Sequence, residues 1–374
     1  MTPRPTRASI RPAGLLALAA VSALGPVACG SAHRASTSGA TVAPEPLPTM
    51  STSATTSPPT TVKPVSHRAV AVVAPLTGLP ATRTAARRPA VVVKIDNLQA
   101  ALPQTGTNQA DVVYEEMVEG GLTRLAAVFQ SDYAPTVGPV RSGRLTDEGI
   151  ADDLGHPVLA YAGANALFQP QLLAQPLSAI DDDIAPNLFV RDYSRAAPHN
   201  LFASIAGLAA TDTRHAPPAP LWGFRRPGSR FAGAGVRPAA AVALTFPAAT
   251  LRWTWDAKTR LWLRTQNASA DLDSSGRQLS AGNVIIQWIP YITSAYVSGE
   301  GAGANGGPIP EGVMVGHGMA WYLSGGAVVK GTWSRASLTS RTTYRDTAGR
   351  PIRLQPGRTW VELPMVGAAA TLTP

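Results

Sequence analysis

The sequence predicts an α+β or α/β N-terminal domain followed by a mostly antiparallel β domain. In residues 70–232, apolar β-branched runs such as RRPAVVVKID alternate with segments that have helix signals. Residues 233–374 instead place Trp, Tyr, Thr and Val at every second position, broken by Gly and Asp, which is typical of antiparallel strands. The chain has 374 residues, 45% hydrophobic and 15% charged, so it can form cores for about two domains.

The front of the chain has the pattern of a secretory signal over residues 1–29. A basic start is followed by an uncharged apolar run at 13–25, which is too short to span a bilayer because spanning takes ~20 residues. The string VACG comes next and resembles a bacterial lipobox, so we predict lipidation of Cys29 and anchoring at the outer face of the cytoplasmic membrane. Pro26 departs from the leucine of that motif, and ordinary cleavage to a secreted protein is the alternative.

A segment rich in Ser, Thr, Pro and Ala follows at residues 30–69. It has few large apolar side chains, so it cannot bury enough surface to offset the entropy of ordering. We therefore expect a disordered tether that holds the globular part away from the membrane. The alternative is an O-modified stalk, which would do the same. The predicted organisation is a signal peptide at 1–29, the tether at 30–69, an N-terminal α/β domain at 70–232 and a C-terminal β-rich domain at 233–374.

Composition excludes some partners and some chemistry. The formal charge is +9, nearly all from arginine, and no basic run contains interleaved aromatics. This balance indicates a weak preference for anionic surfaces and predicts no nucleic-acid partner. Cys29 is the single cysteine, so no intrachain disulfide forms. The strings GxSxG, SxxK and HExxH and the phosphate-binding P-loop are all absent from the sequence.

A β-hairpin is predicted for residues 111–130, with its turn at Gly120-Gly121, a dipeptide that permits the positive φ of a tight turn. This register places Met117 opposite Arg124. The polar residues predicted to share one face are Glu115, Glu119 and Arg124. Glu116 then falls on the apolar face, which requires an edge strand or a bulge.

The string VGPVRSGR leads into a predicted helix, with Thr146 as its N-cap and Gly155 at its end. Arg141, Ser142 and Arg144 would then lie in the loop before the helix. Arginines beside a helix N-terminus can bind a carboxylate, phosphate or sulfate. The alternative is an arginine pair neutralised by nearby acidic residues, for which the candidates are Glu115, Glu119 and Asp147.

Two further polar groups in this part have ordinary structural roles available to them. Asp181, Asp182 and Asp183 are adjacent, but their spacing matches no calcium loop, so we predict a solvated turn and no metal. Asn200 is predicted to cap a helix that starts at Leu201. His199 is either structural or an acid–base or anion-binding group.

In the second part, the tryptophans could stack on sugar rings, but in a β domain we favour a core role. Gly301, Gly303 and Gly306 match a GxGxxG string without the strand and helix that dinucleotide binding needs. We therefore predict no cofactor.

Several long strings resemble the YerB-like family of bacterial lipoproteins. They are PLTGLP, RPAVVVKIDN, ALPQTGTNQADVVYEEMVEGGLTRLAAVFQ, VGPVRSGR, RDYSRAAPHNL, GTWSR and TTYRDTAGRPIRLQPGRTWVEL. They occur in this order over roughly residues 74–365. The resemblance implies export, lipidation and a two-domain layout, and it supplies no catalytic residues.

Our leading hypothesis is an envelope-associated binding or accessory lipoprotein whose polar site lies in the N-terminal domain. The candidate ligand-binding residues are Asp96, Asn97, Gln104, Glu115, Glu119, Arg124, Arg141, Ser142, Arg144, Arg191, His199 and Asn200. Arg141 and Arg144 would grip an anionic cell-wall group. The first alternative is a hydrolase or transferase acting on a cell-wall glycan or phosphodiester, with Glu115 or Glu119 and His199 as general base and acid. The second is a scaffold that binds an envelope protein through an exposed apolar patch of the β domain.

Overall fold

The computed structural model describes residues 72–165, 169–174, 178–214, 216–293 and 309–374. Cys29, the predicted tether and the glycine string at 301–306 lie outside these residues. The described residues all belong to one compact unit. Among the described residues, no helix combines the length and the apolar character needed to cross a bilayer.

Strands dominate the described chain. They are β1 (Val91–Asp96), β2 (Val112–Met117), β3 (Thr123–Phe129), β4 (Val158–Tyr161), β5 (Ser178–Asp181), β6 (Phe189–Arg191), β7 (Leu201–Ala203), β8 (Gly223–Phe224), β9 (Arg237–Pro238), β10 (Ala241–Phe246), β11 (Ala249–Asp256), β12 (Leu261–Gln266), β13 (Ser269–Ala270), β14 (Ser280–Ala281), β15 (Asn283–Gln287), β16 (Tyr291–Thr293), β17 (Pro310–Gly312), β18 (Gly316–Ser324), β19 (Ala327–Arg335), β20 (Thr343–Asp346), β21 (Arg353–Leu354), β22 (Thr359–Leu363) and β23 (Ala370–Thr373). The α-helices are α1 (Arg83–Ala86), α2 (Thr146–Asp153), α3 (Gln169–Ala174) and α4 (Ile205–Ala209). Short 3₁₀ turns occupy Gln99–Ala101, Thr107–Gln109, Glu119–Gly121 and Pro186–Leu188.

The large sheet has the strand order β20-β19-β18-β15-β22-β2-β3-β1-β4-β5, and β9 pairs with β19. Its N-terminal half is mixed, because β1 pairs antiparallel with β3 and parallel with β4. Strand β22 pairs parallel with both β15 and β2, so the sheet runs across the predicted boundary at residue 232. The predicted order of a mixed first part and a mostly antiparallel second part is confirmed, but the described α-helices are few and short, so the first part has less helix than an α/β domain would have.

A smaller sheet, in the order β13-β12-β11-β10-β23 with β14 beside β12, covers one face of the large sheet. The LRWTWDAKTRLWLR hairpin forms β11 and β12 as predicted. The tryptophans are mainly core residues. Trp253 and Trp360 pack edge to face with ring centroids 5.2 Å apart, and Trp253, Trp262 and Trp333 have no exposed surface.

The two faces of the large sheet carry different residues because side chains alternate along each strand. Val91, Val93 and Ile95 point toward the smaller sheet. The face formed by Val92 and its neighbours packs against Ile150 and Leu154 of α2. All six residues of β1 are therefore buried, including Lys94 and Asp96.

The predicted hairpin forms, but its register differs by one residue from the prediction. Met117 pairs with Thr123 and Glu116 pairs with Arg124. The difference arises because the turn spans Glu119–Gly121 rather than two glycines, with the Val118 amide bonded to the Leu122 carbonyl. Because a shift of one residue reverses the faces, Glu116 shares a face with Arg124 and Glu115 takes the other. No bulge is needed.

Two predicted helix caps are wrong. Thr146 is the first residue of α2 and not its N-cap, and its hydroxyl accepts a hydrogen bond from the Gly312 amide at 2.9 Å. Asn200 caps no helix, since Leu201–Ala203 is a strand. The following helix, α4, is capped by Ser204, whose hydroxyl accepts from the Gly207 amide.

Candidate functional site

Charged side chains occupy both faces of the large sheet near the ends of β1 and β2. They form three groups, which we name by their surroundings. The enclosed cluster, between the two sheets, consists of Glu115, Arg264, Asp271 and Glu362. The lysine cluster, on the opposite face, consists of Lys94, Glu116 and Asp147. The open cluster, at the rim of that face, consists of Asp96, Glu119, Arg124, Arg141, Arg144 and His199.

The enclosed cluster centres on Arg264 of β12, which has no exposed surface. Its Nη2 donates to Oε2 of Glu115 at 2.6 Å, and its Nη1 pairs with Asp271. Burial alone would lower the pKa of Arg264, but the carboxylates of Glu115, Asp271 and Glu362 outweigh burial and raise it. Burial and the adjacent Glu115 raise the pKa of Glu362 well above its usual value. The charge of this guanidinium is therefore balanced by carboxylates of the protein, although its Nε has no hydrogen-bond partner among the described residues.

Amide and hydroxyl groups complete the enclosed cluster. Asn97 Nδ2 donates to Glu115 Oε1 at 3.1 Å, to Thr123 Oγ1 at 2.7 Å and to Gln266 Oε1 at 3.0 Å. Gln104 Nε2 donates to Asn97 Oδ1 at 3.0 Å and to the Asp96 carbonyl. These bonds connect the enclosed cluster, across the end of β1, to the backbone of the open cluster.

The lysine cluster places one ammonium group between two carboxylates. Lys94 Nζ donates to Glu116 and, at 2.7 Å, to Asp147 Oδ1, and all three side chains have no exposed surface. Burial raises the pKa of Glu116 to about 7; Lys94 opposes this rise and the Asp147 charge adds to it. The second oxygen of Asp147 accepts from the Arg144 backbone amide at 2.7 Å, which fixes the loop before α2.

The open cluster begins at Asp96, the last residue of β1. Residues 139–141 lie beside the end of this strand, with the Asp96 amide bonded to the Pro139 carbonyl. This pairing brings Arg141 Nε to 3.0 Å from Asp96 Oδ2, and His199 Nδ1 lies 2.7 Å from the same oxygen. The side chains of Arg141 and His199 are 18% and 14% exposed, so both reach solvent.

The remaining two arginines of the open cluster differ in their partners. Arg144 Nε and Nη2 donate to the same oxygen of Glu119 at 3.0 and 2.8 Å. Arg124 Nη1 donates to the Ser142 carbonyl at 3.0 Å, a neutral acceptor. Burial, followed by the positive charge of Arg144, lowers the pKa of Arg124 to about 10, although Glu119 opposes this shift. The environment of Arg124 therefore disfavours its own charge.

The structure divides the predicted ligand-binding residues into three sets. The open cluster contains or adjoins Asp96, Glu119, Arg124, Arg141, Ser142, Arg144 and His199. Asn97, Gln104 and Glu115 belong to the network behind it. Arg191 and Asn200 bond to each other at 3.2 Å beside β6, where Arg191 also pairs with Asp182. The neutralising partners of Arg144 and Arg141 are Glu119 and Asp96, not Glu115 or Asp147.

Sequence reasoning missed the residues that complete the two buried clusters. They are Lys94, Arg264, Asp271 and Glu362, whereas Asp147 was predicted only as a partner of the loop arginines. A signal was present for Arg264 and Glu362, because each interrupts an otherwise apolar and aromatic strand, in LWLRTQ and TWVEL. A charged residue in such a strand needs a partner of opposite charge when it is buried.

The three adjacent aspartates bring ligand oxygens within 4.8 Å of one another, and no ion is present. Asp181 is already engaged, since it accepts from the Gly163 amide at 3.1 Å and from Gln169 at 2.6 Å. Asp182 pairs with Arg191. A turn closed by its own hydrogen bonds accounts for this group.

The hydrolase hypothesis paired Glu115 or Glu119 with His199. These three side chains contact different groups in the structure: Arg264, Arg144 and Asp96 respectively. Glu115 has no exposed surface. For the scaffold hypothesis, exposed apolar side chains do occur in the β-rich part, among them Ile292, Met319, Met365 and Val366.

Comparison with known proteins gives a consistent family. Residues 76–217 match the family described as protein of unknown function (DUF3048), N-terminal domain, and residues 242–361 match the corresponding C-terminal domain. Over 135 residues the chain is 45% identical to YerB from Bacillus subtilis (strain 168), a protein named as a lipoprotein; this match covers 35% of the chain and 40% of YerB, less than half of either protein.

A solved structure shares the fold. The crystal structure of the YerB protein from Bacillus subtilis superposes with a TM-score of 0.68 and 22% identity. It covers 81% of this chain and all of the YerB chain in that structure. The shared architecture therefore extends well beyond the segment of high sequence identity.

Proposed function

Since this chain belongs to the YerB-like family of paired DUF3048 domains, we propose that it is an exported lipoprotein that binds an anionic ligand at the open cluster. Lipidation of Cys29 would hold it at the outer face of the cytoplasmic membrane. The ligand class is a phosphate- or carboxylate-bearing group of the cell envelope.

The observation that carries the proposal is the charge balance of the open cluster. Three guanidinium groups share two carboxylates, Asp96 and Glu119. In the described part of the chain, Arg124 has no carboxylate within ion-pair distance, and its hydrogen bond goes to a backbone carbonyl. An anion beside Arg124 would supply the missing negative charge and favour the protonated guanidinium.

The neighbouring groups are arranged to support such an anion. Arg144 is held in place by Glu119, and Arg141 by Asp96, so little side-chain entropy would be lost on binding. His199 uses Nδ1 for Asp96, which leaves Nε2 as the ring nitrogen for a ligand. Fixed guanidinium groups at a partly exposed rim are suited to bidentate contacts with phosphate or carboxylate oxygens.

Isothermal titration calorimetry of the full chain with inorganic phosphate tests this proposal. We expect saturable binding that weakens at least about tenfold in Arg124→Gln, since a charge-assisted hydrogen bond contributes ~1.5–3 kcal/mol. Arg252→Gln, which changes an exposed arginine on the smaller sheet, is the matched control and keeps native affinity. Equal phosphate affinity in the native chain and Arg124→Gln would remove the open cluster as the site.

The anchor has its own test. Mass spectrometry of the envelope-bound product should show a chain that begins at a diacylated Cys29, and Cys29→Ser should shift the protein from the membrane fraction to the medium. A soluble cytosolic product with an intact starting methionine and an unmodified thiol contradicts both export and lipidation.

One observation favours a second candidate, phosphodiester hydrolysis at the same cluster. The 2.7 Å contact between His199 Nδ1 and Asp96 Oδ2 orients an imidazole as in enzymes that use histidine as a general base. Hydrolysis of bis(p-nitrophenyl) phosphate that is lost in His199→Gln, with phosphate binding retained, supports catalysis. Binding without turnover supports the binding protein alone.

A further inference from the structure

A second arginine-rich site lies away from the open cluster, beside the parallel pair β8–β21. It is a cavity of about 1040 Å³, a size typical of ligand pockets. Apolar side chains form much of its wall, among them Leu79, Phe224 and Leu261. Leu79 is 42% exposed, so the cavity opens to solvent at that side.

The charged residues that line this cavity are all of one sign. They are Arg225, Arg260 and Arg358, with no aspartate or glutamate in the lining. An adjoining cavity of about 440 Å³ shares Arg225 and Arg260 and adds Arg230 and Arg237, again without an acidic residue. Five arginines therefore surround two neighbouring cavities.

The hydrogen bonds of Arg225 go to neutral acceptors. Nη1 donates to the Ser229 carbonyl at 2.8 Å, and Nη2 lies 3.3 Å from Gln355 Oε1 and 3.4 Å from Ser324 Oγ. Its Nε is buried without a hydrogen-bond partner among the described residues. Burial and the positive charge of Arg260 lower the pKa of Arg225. A buried, unpartnered donor in a lining of uniform charge points to an anionic group that is not part of the chain.

From this combination of an apolar wall and arginines without an acidic partner in the lining, we propose that the cavity binds a single amphiphilic anion, with its phosphate or carboxylate head at Arg225 and Arg260 and its apolar tail against Leu79 and Phe224. Arginine donors suit the planar or tetrahedral oxygens of such a head. Because the hydrophobic free energy grows with each methylene group that is buried, the tail contributes to the affinity together with the head.

The test is isothermal titration calorimetry of the full chain, kept soluble in an uncharged fluorinated surfactant, with monomeric octyl phosphate. In Arg124→Gln, which removes any contribution of the open cluster, we expect one-site binding that weakens at least tenfold when Arg260→Gln is added and further with the Arg225→Gln, Arg260→Gln double variant. Arg260 is exposed, so its substitution leaves the fold intact.

Leu79→Glu keeps every arginine and places a negative charge at the mouth of the cavity, so it should weaken binding by a similar factor. Arg252→Gln is the neutral control.

Three further measurements, with octyl glucoside, inorganic phosphate and phosphatidylglycerol vesicles, test whether the cavity recognises the whole amphiphile or only its head or its tail. Octyl glucoside has the tail without the charge, and inorganic phosphate has the charge without the tail; both should bind at least tenfold more weakly than octyl phosphate at this cavity. Measuring each ligand also in Arg124→Gln removes any signal from the open cluster. Equal affinity for octyl glucoside overturns head recognition, and unchanged affinity in the double variant overturns the assignment of the arginines. Binding only to phosphatidylglycerol vesicles would replace a single bound amphiphile with a membrane surface and also overturn the proposal.

Discussion

Two arginines, one from each sheet, have opposite surroundings. Arg264 of β12 lies between the sheets, with Glu115 and Asp271 as ion partners, and its pKa is raised. Arg124 of β3 lies at the rim of the other face, bonds to a carbonyl and has its pKa lowered to about 10. Both are partly or wholly removed from water, so burial alone does not distinguish them.

The difference lies in which partner the protein itself supplies. A guanidinium whose carboxylates come from the fold is a structural element, because removing it leaves several buried charges uncompensated. A guanidinium that faces only neutral acceptors and other arginines has its strongest partner outside the chain. The charged groups around an arginine therefore indicate, better than its exposed fraction does, whether the arginine stabilises the fold or binds a ligand.

The largest expected effect comes from replacing each of these arginines by methionine. Arg264→Met should cost about 3–5 kcal/mol of unfolding free energy, since it breaks a buried cluster. Arg124→Met should cost no more than about 1 kcal/mol, since it removes one bond to a neutral carbonyl. Urea denaturation of both variants checks the contrast. Equal losses would show that the two environments are energetically alike and would end the distinction.

The lysine cluster provides a second comparison, through the pH dependence of stability. It has one more carboxylate than cations, whereas the open cluster has one more guanidinium group than carboxylates. The pKa of Glu116 is raised by burial to about 7, above its unfolded value near 4.5, so the folded state binds the proton more tightly. Its stabilising contribution is complete below about pH 4.5 and is lost as the pH rises through about 7. Stability should fall by on the order of 2 kcal/mol between pH 5 and pH 8.

Denaturation curves across this pH range provide the measurement, and Glu116→Gln is the matched variant. The variant should remove the part of the slope that Glu116 contributes, whereas Glu362, whose pKa burial also raises, keeps its own part. A residual slope of the same sign should remain from Asp111, whose pKa burial raises to about 6. A native protein that gains stability from pH 5 to pH 8 would contradict the protonation of Glu116.

The smallest expected effects come from two hydroxyl groups next to the clusters. Thr123→Val removes the 2.8 Å bond to Glu115 and the acceptor for Asn97, so it should cost about 1–2 kcal/mol. Ser142→Ala leaves the Ser142 carbonyl in place for Arg124, so it should change stability by less than about 0.5 kcal/mol. Thermal melts of both variants measure the two losses in stability. A larger loss for Ser142→Ala than for Thr123→Val would contradict the prediction.

Much of the fold followed from local pattern. The apolar run ending at Asp96 predicted β1, and the alternation around residues 249–266 predicted the β11–β12 hairpin. The hairpin at Gly120-Gly121 was predicted with its register displaced by one residue. That error depends on whether the turn contains two residues or three, which the glycine pair alone does not decide.

The site could be predicted only in part, for a physical reason. Arg141, Arg144 and His199 were found because loop arginines and a histidine stand out locally. The partners in the enclosed cluster could not be assigned, because Glu115, Arg264 and Glu362 come together only through the packing of two sheets. Arg225, Arg230 and Arg237 were visible in the sequence, but the two cavities that they line also depend on Arg260 and Leu79 from distant segments.

Strand β22, at residues Thr359–Leu363, joins the two halves of the large sheet although it lies near the end of the chain. During synthesis, the facing edges of β2 and β15 stay unpaired until β22, which follows both in the chain, has been made. A chain that stops before residue 359 would therefore leave both edges open to pairing with other chains.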